Sequence, residues 1–287
     1  MVSVLLPVYN QYDALDITLE ALTQQDYSES FEVVVVDDRS DTIRKDIIDK
    51  YSSLSCFSLL FVENAINMGR AATRNILINR SCGDILIFCD ADRFPSSSFI
   101  ADHVQCIQKM SHSISVGKVM ETYESPMKIK KLSGCSCVSR KAVYYKTIQK
   151  LFDSNGMSDS SLVWLAFLSG NVAIRRNDLG EERFDESFRE WGFEHFELGY
   201  RLFQRGLKII LNSGAINTHI AHARSGMNYK TYIKDSYVYF YSKYSNITIK
   251  YLYDFIVGKI SLQEYELKSS GPKVWMENKA PIYNVII

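Results

Sequence analysis

Short, uniformly apolar runs alternate with helical segments in the first part of this 287-residue chain. Between the first two runs, Leu15, Leu19 and Leu22 have the spacing of one helix face. Strands that are apolar throughout are expected where both sheet faces are covered, and alternation with helices favours parallel pairing. We therefore predict an α/β domain whose mainly parallel sheet has helices on both faces. The predicted strands are residues 2–8, 31–36, 57–62 and 85–89, and the predicted helices are 12–25, 43–51 and 70–79.

Two acidic residues follow the last of these predicted strands. Asp90 and Asp92 come directly after an apolar run, and side chains two apart in an extended chain point the same way. Open α/β sheets bind ligands at the carboxyl ends of their strands, and carboxylates there suit a hard divalent cation. An Asp-x-Asp sequence also occurs in solvated turns that end strands. The surrounding residues must therefore decide between a metal site and a turn.

Composition and missing motifs exclude several other classes of protein. No G-x-G-x-x-G follows the first strand and no P-loop lysine motif occurs, which disfavours dinucleotide oxidoreductases and P-loop phosphotransferases. Lys plus Arg and Asp plus Glu number 33 each, so we expect no nucleic acid partner. No apolar run approaches the ~20 residues of a membrane span, and no signal sequence precedes the first strand. We expect a cytoplasmic protein, with peripheral contact at the inner membrane face left open.

Polar residues near the ends of the other predicted strands suggest a nucleotide site. Tyr9 follows the first strand and can support a ring or a ribose, and Asp38 follows the second and can accept a hydrogen bond from either. Gly69 and Arg70 open the third predicted helix, with Arg74 one turn further on. A helix N-terminus beside arginines is suited to phosphate groups.

Six motifs in a fixed order between Val2 and His222 resemble those of the family 2 glycosyltransferases, which have the GT-A fold. Each motif alone is weak, but their order makes the resemblance specific. It implies a Rossmann-like domain that transfers a sugar from a nucleotide-diphosphate sugar, usually a UDP-sugar, to an acceptor hydroxyl with inversion. The motifs are Leu6-Pro7-Val8-Tyr9-Asn10, Val36-Asp37-Asp38-Arg39-Ser40, residues 67–75, Asp90-Ala91-Asp92, residues 169–176, and Phe184-Asp185-Glu186 leading into residues 191–202.

The resemblance also assigns donor-binding and metal-binding roles. It places a divalent ion, Mn²⁺ or Mg²⁺, on Asp92, with Asp90 nearer the ribose and the metal-bound waters. Family members often add a histidine ligand, and of the two candidates we choose His219 over His222. A hydrogen-bonded histidine near the edge of the core is the alternative for His219. The implied donor-binding residues are Pro7, Tyr9, Asp38, Asn67, Arg70, Arg74 and Asp90.

Inverting transfer needs a base that takes the acceptor proton on the face opposite the leaving group. Family members commonly carry Glu-Asp after the Trp-Gly segment, whereas this chain has Glu194-His195. Either residue can serve, and we favour Glu194 with His195 beside it, because a carboxylate is retained. A helix N-terminal acid is the alternative role for Glu194. Gly170, Asn171 and Trp191 are the candidates for contacts to the donor sugar and acceptor.

Beyond Tyr229 the chain is rich in tyrosine and lysine and has a helical pattern. We predict a glycosyltransferase domain at 1–222, with a nucleotide-sugar half at 1–95 and an acceptor half at 96–222, and a helical C-terminal extension at 223–287. The extension can pack on the domain, form a homodimer or touch a membrane. The expected partners are a nucleotide-sugar donor and a glycan, lipid-linked or small-molecule acceptor. Two alternatives are a non-catalytic or weakened nucleotide-sugar binding protein and a sugar nucleotidyltransferase, although the latter needs a Gly-rich basic loop after the first strand.

Overall fold

The computed structural model describes residues 1–131, 137–189, 192–222 and 229–270. The strands in these ranges are β1 (Val2–Val8), β2 (Phe31–Asp37), β3 (Ser58–Glu63), β4 (Ile85–Cys89), β5 (Arg93–Pro95), β6 (Ser113–Thr122), β7 (Arg140–Lys141), β8 (Asn171–Arg175) and β9 (Lys208–Ile220). The helices are α1 (Tyr12–Thr23), α2 (Lys45–Ser52), α3 (Arg70–Arg80), α4 (Phe99–Lys109), α5 (Pro126–Lys131), α6 (Val143–Ile148), α7 (Arg176–Leu179), α8 (Glu194–Gln204), α9 (Tyr229–Tyr244), α10 (Ile247–Lys250), α11 (Leu252–Ile256) and α12 (Leu262–Ser270). Gln149–Leu151 and Val163–Ala166 are short 3₁₀ helices.

The strands form one sheet in the order β3-β2-β1-β4-β8-β6-β9-β5, with β7 paired to β6. β1 lies parallel to β2 and β4, and β2 lies parallel to β3. In the second half, β8 is antiparallel to β4 and β6, β5 is antiparallel to β9, and β6 is parallel to β9. The carboxyl ends of β1, β2 and β4 therefore meet at one edge, where the predicted site residues lie.

Strand β2 shows why the predicted strands are apolar throughout. Val33 and Val35 belong to an apolar cluster with residues of α1, α2 and α4. Val34 and Val36 belong to a second cluster on the other face, with α3 and helices of the second half. Because successive side chains alternate between faces, a strand covered on both sides needs an apolar residue at every position. The predicted α/β fold with helices on both faces is confirmed.

The long strand β9 connects the second half of the chain to the acid pair. It runs beside β6 and shifts register between Gly117 and Lys118. Beyond the shift, His219 lies opposite Glu121 on one side and opposite Arg93 of β5 on the other. Since β5 directly follows Asp92, the end of β9 lies beside the Asp-x-Asp motif.

The C-terminal helices pack against the sheet domain. The ring of Phe240 on α9 lies edge-on to Trp164 at 5.8 Å and to Tyr200 at 5.9 Å. Lys243 Nζ lies 2.7 Å from the carboxylates of both Asp185 and Glu197. The expectation of C-terminal helices is confirmed, whereas the domain boundaries stay predictions and residues 223–228 and 271–287 lie outside the described ranges. Among the described helices, none combines the length and the apolar character needed to cross a bilayer.

Candidate active site

Asp92, His219 and His222 come together beside the end of β9. One ligand atom from each lies within 4.8 Å of the other two, and each histidine Nε2 is 3.5 Å from Asp92 Oδ2. Gln11 Nε2 donates a hydrogen bond to the same oxygen at 3.1 Å. A carboxylate and two imidazoles that face a common point form a donor set suited to a divalent metal ion. We call these three residues the histidine cluster.

Electrostatics keep Asp92 ionised. Burial acts to raise the pKa of its carboxyl, but hydrogen bonds from His219 and His222 outweigh burial and hold this pKa far below its ordinary value. An open cleft of about 750 Å³ begins at Asp92 and His222, and Asn10, Asp41 and Tyr123 also line it. The histidine cluster therefore combines a charged carboxylate with a face that a ligand can reach.

Asp90 has entirely different neighbours. Its Oδ1 accepts a hydrogen bond from Arg74 Nη2 at 2.9 Å, and its Oδ2 accepts one from Arg93 Nε at 3.1 Å. Burial acts to raise the pKa of Asp90, but the two guanidinium charges lower it below its ordinary value. Both oxygens are thus engaged by arginines, and Asp90 is not part of the histidine cluster. Each oxygen retains a further lone pair, and the assignment of Asp90 to the metal stays a prediction.

Arg74 joins the acid pair to helix α8. While Nη2 binds Asp90, Nη1 donates to Glu194 Oε1 at 2.9 Å, and side-chain exposure is only 5% for Arg74 and 2% for Glu194. Arg74 Nε, Arg93 Nη1 and Glu194 Oε2 are buried without a hydrogen-bond partner in the described part of the chain. Buried polar atoms of this kind normally have a partner. A bound hydroxyl compound, which donates and accepts, is able to supply one.

Glu194 and His195 occupy the first turn of α8. The chain enters this helix through Gly192 at φ 104° and Phe193 at φ 73°, a left-handed turn that aims the helix start at Arg74. Burial acts to raise the pKa of Glu194, but His195 and Arg74 outweigh it and lower this pKa far below its ordinary value. His195 Nδ1 is 3.6 Å from Glu194 Oε1, and its side chain is 18% exposed. Of this pair, His195 is the residue that a ligand can reach.

Asp38 shapes the loop that leads into α3. Its Oδ1 accepts from the Asn64 side chain at 2.9 Å and from the Met68 backbone N–H at 2.8 Å, and its Oδ2 accepts from the Gly69 N–H at 2.9 Å. The Asn67 side-chain amide donates to the Asp38 carbonyl at 3.0 Å. Asp38 and Asn67 are therefore brought together, and the Asp38 carboxylate already accepts three hydrogen bonds; their roles in donor binding stay predictions.

The other predicted donor-binding residues lie around this loop. Tyr9 is 48% exposed, Arg70 is exposed at the start of α3, and Pro7 is half-buried at the end of β1. An exposed aromatic ring can stack on a base, and an exposed arginine can bind phosphate. The described geometry is compatible with a nucleotide here.

The three sugar and acceptor candidates have different outcomes. Gly170 lies against the acid pair, since a Cβ built on it would be 2.5 Å from Asp90 Oδ2 and 2.4 Å from Arg93 Nε. Asn171 is not brought to the site: it is fully buried, its amide donates to the carbonyls of Lys118 and Ala215, and its Oδ1 lies 2.9 Å from His103. Trp191 lies outside the described residues.

Sequence reasoning did not identify Arg93 or Gln11 and ranked His222 below His219. Arg93 directly follows Asp92 in the chain, and this adjacency is the only signal in the sequence that pointed to it. Gln11 reaches Asp92 from the start of α1, across 81 positions of sequence. His222 lies two residues beyond the end of β9. Strand periodicity therefore did not predict that His222 and His219 would face the same oxygen of Asp92.

Comparison with known protein families decides the class of this site. The model of "Glycosyl transferase family 2" matches residues 3–177 of the chain. The chain belongs to this family. The resemblance read from its six motifs is thereby confirmed, and the protein is a glycosyltransferase.

Individual relatives agree with this assignment. The chain is 27% identical over 282 residues to the uncharacterized glycosyltransferase YfnE of Bacillus subtilis (strain 168), covering 85% of this chain and 71% of YfnE. It is 26% identical over 238 residues to the chondroitin synthase of Pasteurella multocida (strain Pm70), covering 76% of this chain but only 24% of that protein.

Solved structures of glycosyltransferases share its fold. S. aureus TarS residues 1–349 superpose with a TM-score of 0.61 at 19% identity, covering 83% of this glycosyltransferase and 64% of the TarS chain. The mannosyltransferase PcManGT of Pyrobaculum calidifontis, in complex with GDP-Man and Mn²⁺, gives a TM-score of 0.59 at 16% identity, covering 84% and 63%. At these identities the likeness shows the GT-A fold alone.

Proposed function

We propose that this glycosyltransferase moves a sugar from a nucleotide-diphosphate sugar, first of all a UDP-sugar, to an acceptor hydroxyl with inversion and with the help of a divalent metal. One observation carries the proposal: the Asp-x-Asp motif belongs to the histidine cluster through Asp92 and is connected through Asp90 and Arg74 to Glu194, which lies beside His195. The proposed metal site and the proposed base are thus linked through one acidic motif.

The donor is held along the sheet edge. Tyr9 and Pro7 support the base, Asp38 and Asn67 set the loop around it, and Arg70 faces the phosphates; their arrangement in the structure supports these roles. A metal ion held by Asp92 and His219 supplies positive charge to the leaving diphosphate. The UDP donor is supported by a solved TarS complex with UDP-GlcNAc, a structure that shares this fold at 17% identity.

The arginine side of the site holds the sugar. Glu194 Oε2, Arg74 Nε and Arg93 Nη1 lack a partner in the described residues and are closed to solvent, so sugar hydroxyls would bond to them once these side chains shift on donor binding. Gly170 lets Asp90 and Arg93 pack against the backbone at this point, because any side chain there would collide with them. These residues fix the anomeric carbon for attack.

His195 takes the acceptor proton in this proposal. Glu194 is a poor base, because it is buried against Arg74 and its pKa is lowered. His195 turns Nδ1 towards Glu194, at 3.6 Å, which leaves Nε2 for the proton. As the acceptor oxygen bonds to the anomeric carbon, the bond from that carbon to the diphosphate oxygen breaks, and the proton moves to Nε2.

The acceptor binds to the second half of the chain and the C-terminal helices. A glycan, a lipid-linked sugar or a small molecule fits the proposal, and the similarity to a chondroitin synthase supports a glycan. The same proposal includes a domain boundary at residue 222. It also includes two roles for the C-terminal helices, a homodimer contact and a peripheral membrane contact.

Release of nucleoside diphosphate tests this function without knowledge of the acceptor. The protein is incubated with UDP-glucose, UDP-N-acetylglucosamine, UDP-galactose and GDP-mannose, with Mn²⁺ or with chelator. We expect metal-dependent release of nucleoside diphosphate from one donor, and we expect Asp92→Asn to abolish it. The control variant Asp84→Asn changes an exposed acid that pairs with the N-terminus, and it should retain this release. Donor binding without release by any preparation, even with hydroxyl acceptors added, would instead indicate the non-catalytic binding protein.

A further inference from the structure

His222 adds a second imidazole to the proposed metal site, beyond Asp92 and His219. Its Nε2 approaches Asp92 Oδ2 at 3.5 Å, the same distance and the same oxygen as His219 Nε2. The two imidazole rings lie 6.1 Å apart at an interplanar angle of 78°. Two rings set nearly at right angles, each with a nitrogen near one carboxylate oxygen, surround a single point rather than stack on each other.

The backbone holds the three residues in place. His219 is paired with β6 through Glu121 and with β5 through Arg93. The Ile220 N–H donates to the Asp92 carbonyl at 2.8 Å, and the Ala221 N–H donates to the Thr122 carbonyl at 2.8 Å. The main chain from His219 to Ala221 is therefore hydrogen-bonded to Asp92 and to strands β5 and β6, up to the residue before His222. A ligand set fixed in this way needs little reorganisation to bind an ion.

The turn after β9 makes this arrangement possible. Side chains three apart on a continued strand would point to opposite faces. Because β9 ends at Ile220, the chain can bring His222 back to the face of His219. His222 is 45% exposed, whereas side-chain exposure is 13% for His219 and 11% for Asp92. The cluster is closed on the sheet side and open towards the cleft, which leaves coordination positions for phosphate oxygens.

We infer that His222 is a metal ligand and that the site is a two-histidine, one-carboxylate centre selective for first-row transition ions such as Mn²⁺, Co²⁺ or Zn²⁺ over Mg²⁺. Imidazole nitrogen suits transition ions, whereas Mg²⁺ prefers oxygen ligands in regular octahedral geometry and keeps its water. Two imidazoles of three protein ligands therefore disfavour Mg²⁺. The inference rests on the proposed function for its metal but concerns only the chain's own ligand set.

Metal binding without any nucleotide-sugar tests this inference. The full chain is freed of metal with chelator, and Co²⁺ is added while visible absorption reports nitrogen ligation. Calorimetry then gives the affinities for Co²⁺, Mn²⁺ and Mg²⁺. His222→Gln is compared with His219→Gln and with His112→Gln, a control histidine that is 80% exposed and pairs with Asp178. Circular dichroism checks that each variant is folded.

We expect Co²⁺ to bind at least about 10-fold more tightly than Mg²⁺, and His222→Gln to weaken Co²⁺ about 10- to 100-fold and change its spectrum. His112→Gln should bind as the unaltered protein does. Unchanged Co²⁺ affinity in His222→Gln, or equal affinity for Mg²⁺ and Co²⁺, would overturn the inference. If release of nucleoside diphosphate is metal-dependent yet insensitive to His222→Gln, the proposed function stands and this inference fails. If the expected Co²⁺ results are found but no nucleoside diphosphate is released, this inference stands and the proposed function fails.

Discussion

Asp90 and Asp92 are separated by one residue, yet their surroundings are opposite in kind. Asp90 lies between two arginines, each within 3.1 Å. Asp92 lies between two histidines, each at 3.5 Å, with Gln11 beside them. The arginine side continues inward through Arg74 to Glu194, whose side chains are 5% and 2% exposed, whereas the histidine side opens through His222 into the cleft.

The difference shows how one short motif can serve two purposes. Arginine is always charged. Arg74 and Arg93 therefore neutralise the Asp90 carboxylate permanently and leave little negative charge there for a metal ion. Asp92 instead faces two imidazoles, a ligand type that binds metal ions. Asp90 thus pairs with arginines, whereas Asp92 is the acid that we propose as the metal ligand.

The largest effect is expected from Arg74→Met. This change removes the only described cation that bridges Asp90 and Glu194; it leaves the buried Glu194 carboxylate without its guanidinium partner, while the partly exposed Asp90 keeps Arg93. Breaking a buried ion pair from one side costs about 3–5 kcal/mol, so we expect a loss of that order in the free energy of unfolding, measured with urea at pH 7.

Arg93→Met is the matched control for Arg74→Met. Among the described residues Arg93 forms an ion pair with Asp90 alone, and its side chain is 18% exposed. When Arg93 is replaced, Asp90 therefore keeps its ion pair with Arg74. We expect a loss of about 1 kcal/mol. Equal losses in the two variants would show that the bridge to Glu194 does not matter to stability.

A third kind of histidine sharpens the comparison. His103 is fully buried, with its ring nitrogens 2.9 Å from Ser115 Oγ and from Asn171 Oδ1, and burial lowers its pKa to about 4. The fold therefore favours neutral His103. Its stability contribution is complete above the unfolded pKa of about 6.5 and is lost as pH falls towards 4, approaching about 3 kcal/mol.

Urea unfolding between pH 7 and pH 4 measures the contribution of His103. The variant His103→Gln cannot titrate, so its stability should fall less steeply than that of the unaltered protein. Identical slopes would contradict a neutral, buried His103. The comparison also separates a histidine held by hydrogen bonds from the two that face Asp92.

The proposed base is tested by the kinetics of sugar transfer rather than by unfolding. His195→Asn should lower kcat for sugar transfer about 100-fold, as expected for loss of general-base catalysis, with little change in KM for the donor. Glu194→Gln should instead raise that KM, because Glu194 holds Arg74 and the sugar. A kcat unchanged in His195→Asn, with a large fall in Glu194→Gln, would return the base to Glu194.

The sequence predicts the fold well because its signals are local. The central strands β1, β2 and β4 are apolar because both of their faces are buried, whereas the edge strand β3 is only partly covered, and several of the motifs follow a strand end. Asp92 and His219 were predicted through such motifs. The side chains that surround the acid pair were not predicted, because the contacts join residues far apart in the sequence. Arg74 and Glu194 are 120 positions apart, and Gln11 and Asp92 are 81 positions apart.

Asn171 shows the limit most clearly. Its position in a motif suggested a contact to the sugar, but it begins β8, and its side chain fills the space above Gly117, where a Cβ would lie 1.9 Å from Asn171 Oδ1. The shape of the neighbouring strand, rather than the motif, decides where this side chain goes. A pattern in sequence carries no information on that packing.

The affinity for Mn²⁺ of Asp90→Asn and Asp92→Asn, measured by calorimetry on folded protein, tests the contrast between the two acids most directly. We expect Asp92→Asn to weaken Mn²⁺ binding by about 100-fold or more and Asp90→Asn to stay within about fivefold of the unaltered protein. Equal losses in the two variants, or a larger loss in Asp90→Asn, would contradict the division into an arginine-held acid and a metal-binding acid.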